Sequence, residues 1–238
     1  MSSRAEGRLV ELAERYVLGE EVVAHARTLL ALWDEDELAS TRVTDPAAAV
    51  DQHLADSWVA LELDEVRGAT RAADLGTGAG IPALPLAIAL PGLRMALVES
   101  VSRRTTFLRT AIEACGLEAR CEVVTLRAEG WPDGIGQHDL ITSRALATLD
   151  VVLEYSAPLL QLGGCSVAWK GTLTDEERDG GYRAAEQLGM EIERILPVEP
   201  FAGARDRSLV IARKVAKTPE RFPRREGMAK KKPLGLAR

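Results

Sequence analysis

Apolar side chains recur at three-and-four spacing through the first third of the chain: Val10, Ala13 and Val17, then Val22, Val23, Ala26, Leu29, Leu30 and Trp33, with Gly19 between the two series. That spacing sets them on single faces of two helices. Asp45 before Pro46 forms an N-cap and first-turn pair, and Val50, Leu54, Trp58 and Leu61 continue along one stripe of the helix it starts. From Arg71 the texture changes to short apolar runs at residues 71–75, 95–99, 122–126, 139–142, 166–169 and 208–213, separated by helical patterns at 81–90, 103–115, 149–160 and 175–188. Strict alternation predicts crossover units, hence an α/β fold: a doubly wound, mostly parallel sheet with helices on both faces, preceded by an N-terminal helical cap. The predicted organisation is a cap over residues 1–63, a ligand-binding α/β domain over 64–214, and a basic, flexible tail over 215–238. Within that tail Pro219, Pro223, Gly227 and Pro233 oppose a packed helix.

Composition narrows the class. With 238 residues, 46% hydrophobic and 28% charged, the chain has enough apolar content for a sizeable core and is neither disordered nor collagenous. Its most apolar stretch, residues 81–98, is interrupted by Pro82, Pro85, Pro91, Gly92 and Arg94, which argues against a membrane span. Residues 1–14 carry Arg4, Glu6, Arg8, Glu11 and Glu14 without an apolar signal core, so a cytoplasmic location is expected. Cys115, Cys121 and Cys165 fit neither a paired-thiol nor a zinc spacing and read as buried reduced thiols, and His25, His53 and His138 are equally scattered, so no metal site is expected. Charge is uneven. From Arg213 onward ten basic side chains face two acidic ones, while the first 212 residues hold 20 basic against 34 acidic. An acidic body with a basic tail suggests a polyanionic partner.

The chemistry concentrates at Asp74-Leu75-Gly76-Thr77-Gly78-Ala79-Gly80-Ile81, where the first predicted strand ends and the first α/β helix begins. Glycines at every second position let the chain turn sharply and admit a nucleotide-like ligand close to the main chain. A dinucleotide site would place glycine or alanine three residues after the second glycine, and Ile81 stands there. Asp74, an anion fixed at the strand tip, suits a cationic amino-acid portion, and S-adenosylmethionine carries both a sulfonium and an ammonium. Glu99, closing the second strand, is placed to accept from both hydroxyls of a ribose. After the third and fourth strands come Arg127-Ala128-Glu129 and Ser143-Arg144-Ala145, two neighbouring strand ends that complete a pocket with Arg144 pointing into or across it.

Several separate blocks resemble the small-subunit ribosomal RNA guanine N7-methyltransferases, also called glucose-inhibited division protein B. They are Asp45-Pro46 with His53 to Ser57, the loop from Asp74 to Pro82, Glu99-Ser100 with Arg103, Arg104, Phe107 and Leu108, residues 127–129 and 143–145, Trp169-Lys170-Gly171, residues 207–211, and the tail with Arg221 to Arg225 and Lys230 to Leu234. The resemblance spans most of the chain. It implies a class I, Rossmann-like methyltransferase fold, S-adenosylmethionine as cofactor, and ribosomal RNA or the small ribosomal subunit as partner, with a monomer expected. Carried over by position, cofactor contacts fall on Gly76, Ile81, Ala128, Glu129 and Arg144, beside Asp74, Gly78 and Glu99 from the pocket itself. RNA contacts are expected from His53, Lys170, Arg207, Arg224 and Arg225.

The residues also restrict the reaction. The fourth strand is not followed by the polar-Pro-Pro-aromatic run used on exocyclic amino groups, and no Pro-Cys pair offers a nucleophile for a pyrimidine carbon. Guanine N7 has a free lone pair and no proton to lose, so alignment suffices, and Arg144 is expected to position the nucleotide. Two other readings stay open: an S-adenosylmethionine enzyme acting on a small metabolite, and a non-catalytic ribosome-binding assembly factor.

Overall fold

A computed structural model describes residues 2–35, 43 and 45–236. Helix α1 (Ser3–Tyr16) starts where the Ser2 hydroxyl accepts the Ala5 N–H at 3.2 Å and stops at Val17, which adopts a left-handed conformation at φ 56°. Helix α2 (Glu20–Glu35) packs back on it. The Asp45 carboxylate caps α3 (Pro46–Ala49) by accepting the Ala48 N–H at 2.9 Å, as the Asp-Pro pair predicts. The same helical rod then widens into a π-helical turn over Val50–Ala55 before α4 (Asp56–Trp58), a 3-10 turn and α5 (Asp64–Arg67). Single π turns are frequent at functional sites, because the extra residue re-aims its neighbours.

Seven strands follow: β1 (Arg71–Leu75), β2 (Arg94–Val98), β3 (Cys121–Val124), β4 (His138–Arg144), β5 (Leu160–Lys170), β6 (Met190–Pro197) and β7 (Ser208–Lys214). They stand in the order β3-β2-β1-β4-β5-β7-β6, all parallel except β7, which runs antiparallel to both neighbours. The alternation along each strand separates two cores. Ala72, Met95, Leu140 and Val167 face the cap, α6 (Ala83–Ala89) and α7 (Ser102–Ala114), whereas Ala73, Ala96, Ile141 and Ala168 face α8 (Leu149–Leu159) and α9 (Asp175–Leu188). Strands buried on both faces read as nearly continuous apolar runs, which is why they were legible in the sequence. No helix among the described residues is long and apolar enough to cross a membrane.

Two expectations are corrected. Strand β6 was not anticipated: Met-Glu-Ile-Glu-Arg-Ile-Leu-Pro is an exposed edge strand with charges on its open side. The tail expected to be flexible is docked on the body. Thr218 donates to the Ala157 carbonyl at 3.1 Å, Phe222 and Ala229 are buried, Arg224 pairs with the buried Glu154, and one turn of helix, α10 (Met228–Lys231), forms between the prolines. A buried carboxylate requires a cation or donors, and Glu154 takes its cation from the tail. Arg224, expected to contact RNA, is committed to this pair.

Candidate functional site

The tips of β1, β2 and β4 and the turns after β3 and β4 meet at the carboxyl end of the sheet. Leaving β1, the chain reverses at Gly76 (φ +65°), whose N–H donates to the Val98 carbonyl at 2.9 Å, tying the loop to the end of β2. A Cβ on Gly76 would lie 2.6 Å from Cδ1 of Leu146, and Gly80 (φ +80°) has Leu84 equally close. At both positions the left-handed backbone disfavours a side chain, whose Cβ would also have to displace a leucine side chain. The Glu99 carboxylate, buried at 4% exposure, accepts the Gly78 N–H at 3.2 Å and the Val101 N–H at 2.9 Å. It therefore links the glycine loop to the start of α7 and leaves lone pairs for further donors.

Between these elements lies a cleft of about 270 Å³ lined by Gly76, Glu99, Arg104, Ala128, Glu129, Ala145, Leu146, Tyr155 and Lys230. Four of the expected cofactor residues, Gly76, Glu99, Ala128 and Glu129, line it. Asp74, Gly78, Ile81 and Arg144, the other expected cofactor residues, are not among its lining residues. Asp74 is fully buried beneath the loop, where its Oδ1 accepts from Thr142 at 2.7 Å, its Oδ2 has no hydrogen-bond partner, and burial pushes its pKa up to about 6.

A second cleft, about 420 Å³, opens on the other side of Ala145 and is lined by Asp56, Arg144, Trp169, Lys170, Gly171 and Arg207. Ala145, at φ 55°, lines both clefts. Asp56 organises the second one. Its Oδ2 accepts from Arg144 at 2.6 Å and its Oδ1 from Arg207 at 2.8 Å, while its own carbonyl accepts the Trp169 indole N–H at 2.6 Å. Arg144 also donates to the Gln52 carbonyl at 2.8 Å, so the π turn and β4 are joined through one guanidinium. Lys170 pairs with Glu177 at 2.5 Å and donates to the Ala147 carbonyl at 2.9 Å.

His53 lies in the π turn beside these groups. Its ring meets Trp33 edge-on, with centroids 5.1 Å apart, and both ring nitrogens are buried without a hydrogen-bond partner among the described residues. Burial and the nearby Arg144 charge lower its pKa to about 4, which keeps the imidazole neutral. Trp33 reaches further: its indole N–H donates to the Ala79 carbonyl in the glycine loop at 2.9 Å. Arg225 is exposed on the docked tail. Sequence reasoning missed Asp56 as the centre of the second cleft, and also Tyr155 and Lys230 in the first. The available signal for Asp56 was a lone acid within the apolar run Leu54-Ala55-Asp56-Ser57-Trp58.

A doubly wound sheet with one antiparallel strand inserted near its edge, a glycine loop after β1 and an acid at the tip of β2 define the class I, Rossmann-like methyltransferase fold. Solved structures share it. The mitomycin 7-O-methyltransferase MmcR superposes with a TM-score of 0.57 at 19% identity, covering 82% of this chain and 67% of that one. A putative sarcosine dimethylglycine methyltransferase from Galdieria sulphuraria gives 0.57 at 15% identity, covering 82% and 99%. The family described as GidB, rRNA small subunit methyltransferase G, matches residues 21–209. Proteins named ribosomal RNA small subunit methyltransferase G are 39% identical in Pelotomaculum thermopropionicum, over 82% of each chain, and 36% identical in Rubrobacter xylanophilus, over 97% of this chain and 86% of that one. The chain belongs to the rRNA small subunit methyltransferase G family.

Proposed function

We propose that this protein transfers a methyl group from S-adenosylmethionine to N7 of a guanine in small-subunit ribosomal RNA. The observation that carries the reading is the junction at Ala145: a cleft bordered by Gly76, Glu99 and the 128–129 turn and suited to a nucleoside meets a cation-lined cleft suited to a nucleotide. The cofactor, when bound, supplies a methyl group activated by a sulfonium. The first cleft fits it on its own terms: Gly76 leaves room for a close approach, Glu99 offers acceptors to a ribose, Ala128 and Glu129 bring a turn to the base, and Asp74 holds its charge below the loop.

Guanine N7 has a free lone pair and no proton to lose, so the transfer needs alignment of the reacting atoms and no general base. Arg144 is held by Asp56 and Gln52, so it is a positioning residue whose guanidinium is fixed before any substrate arrives. The neutral His53 offers one donor and one acceptor near this guanidinium. Arg207, Lys170 and the exposed cations of the tail provide phosphate contacts that orient the RNA.

The test is incubation of purified protein with labelled S-adenosylmethionine and small-subunit RNA or subunits, followed by mapping of N7-methylguanosine. One labelled guanine is the expected result. Label appearing only on small metabolites would move the assignment to a metabolite enzyme, and no binding of the cofactor would leave an assembly factor. Arg144→Ala is expected to lower turnover by about 100-fold with an unaltered pH profile, as loss of positioning requires. A new ionisation in its pH–rate curve would contradict that role.

A further inference from the structure

The docked tail forms part of the wall of the first cleft. Gly227, at φ +75°, turns the chain so that its N–H donates to the Glu129 carboxylate at 2.9 Å. The approach is tight, since a Cβ on Gly130 would lie 2.7 Å from the Glu226 carboxylate. Arg224 donates to Glu154 from Nε and Nη2 and from the same Nη2 to the Lys232 carbonyl at 2.9 Å, closing residues 224–232 into a loop seated on α8. Buried Ala229 seats α10, and Lys230 lines the cleft beside Glu129 and Tyr155.

From this arrangement we infer that Lys230 is a cofactor-site residue and that the tail acts as a strap whose docking and the filling of the cleft stabilise one another. The inference rests on the methyl-transfer reading and extends it to a segment outside the sheet. Glu99 and Glu129 bring two carboxylates to this cleft and Arg104 and Arg127, paired with Glu99 and Glu226, two guanidiniums, while the Lys230 ammonium adds a donor-only group that complements the ring nitrogens and carboxylate of an adenosyl amino acid. Whatever the cleft binds through Lys230 favours the docked tail, and by reciprocity a docked tail raises affinity for it. Lys231 and Lys232, exposed on the neighbouring residues, face outward. An RNA that gathers these two cations therefore bears on the same strap whose Lys230 lines the cleft.

The full-length protein is titrated with S-adenosylhomocysteine by calorimetry, as the parent, as Lys230→Met, and as Lys217→Met, a control at an exposed lysine away from the cleft. Because Lys230 is exposed enough to leave the core intact, Lys230→Met is expected to fold and to weaken Kd about tenfold, the loss of one charge-assisted hydrogen bond, while the control keeps the parent value. In parallel, trypsin cleavage between residues 224 and 232 is expected to slow at least about fivefold when S-adenosylhomocysteine is present, as the linkage demands. A Kd for Lys230→Met within about twofold of the parent, or tail cleavage at the same rate with and without ligand, overturns the inference while leaving the methyl-transfer reading in place. A parent protein that binds no S-adenosylhomocysteine removes both.

Discussion

The two clefts that meet at Ala145 are built from different materials. On one side the cleft is bordered by a loop that turns at a left-handed glycine, Gly76, and is tied by backbone hydrogen bonds to the end of β2. On the other it is a web of side chains, with one buried carboxylate holding two guanidiniums and the π turn holding an unsatisfied imidazole. The first can recognise a ligand that is always the same. The second can be tuned residue by residue to a particular nucleic-acid substrate, because its geometry resides in partners drawn from the cap, β4 and the segment before β7.

Four perturbations separate the two. The largest effect is expected from Gly76→Val, which places a branched side chain at φ +65° against Leu146; cofactor affinity should fall by more than about 100-fold while RNA binding survives. Calorimetry beside a filter-binding assay measures both, and an unaltered cofactor Kd would erase the distinction between the two clefts. Asp56→Ala should do the converse. Stranding Arg144 and Arg207 is expected to cost about 3–5 kcal/mol of stability and most of the methyl transfer, with cofactor affinity retained, as denaturant melts and titrations will report.

Next in size is an acid sensitivity. His53 has its pKa lowered to about 4 in the fold against 6.5 unperturbed, so its contribution is complete above pH 6.5 and is lost as pH falls from there through about 4. Linkage puts the loss at about 3 kcal/mol, and His53→Phe should flatten that part of the stability curve. A variant as acid-sensitive as the parent would show that the imidazole is not the group responsible. The smallest change is expected from Arg225→Ala, an exposed tail cation, which should reduce the salt dependence of RNA binding by about one ion while sparing cofactor affinity.

How much of this could be read from the chain depended on whether a feature's partners were near in sequence. The glycine loop, Glu99 and the strand tips were legible because positive φ and short apolar runs leave local signatures. Asp56 was not, since the residues that give it meaning lie 88 and 151 positions away. The tail misled for the same reason. Its basic residues resemble a solvated run until Glu154, Glu129 and Asp150, all remote in sequence, are seen to hold Arg224, Gly227 and Gly235. Strand β6 escaped because an edge strand with charges on its open side has no continuous apolar run to betray it.

The Trp33 contact gives the molecule a built-in optical gauge. Its indole donates to the Ala79 carbonyl at the glycine loop and its ring meets His53 edge-on, so one chromophore touches both the glycine loop and the π turn. Emission from an indole follows the polarity and hydrogen bonding around its N–H. Subtracting the spectrum of Trp33→Phe from that of the parent isolates this one signal from the other three tryptophans. Occupancy of either side can then be followed in real time without labelling the protein.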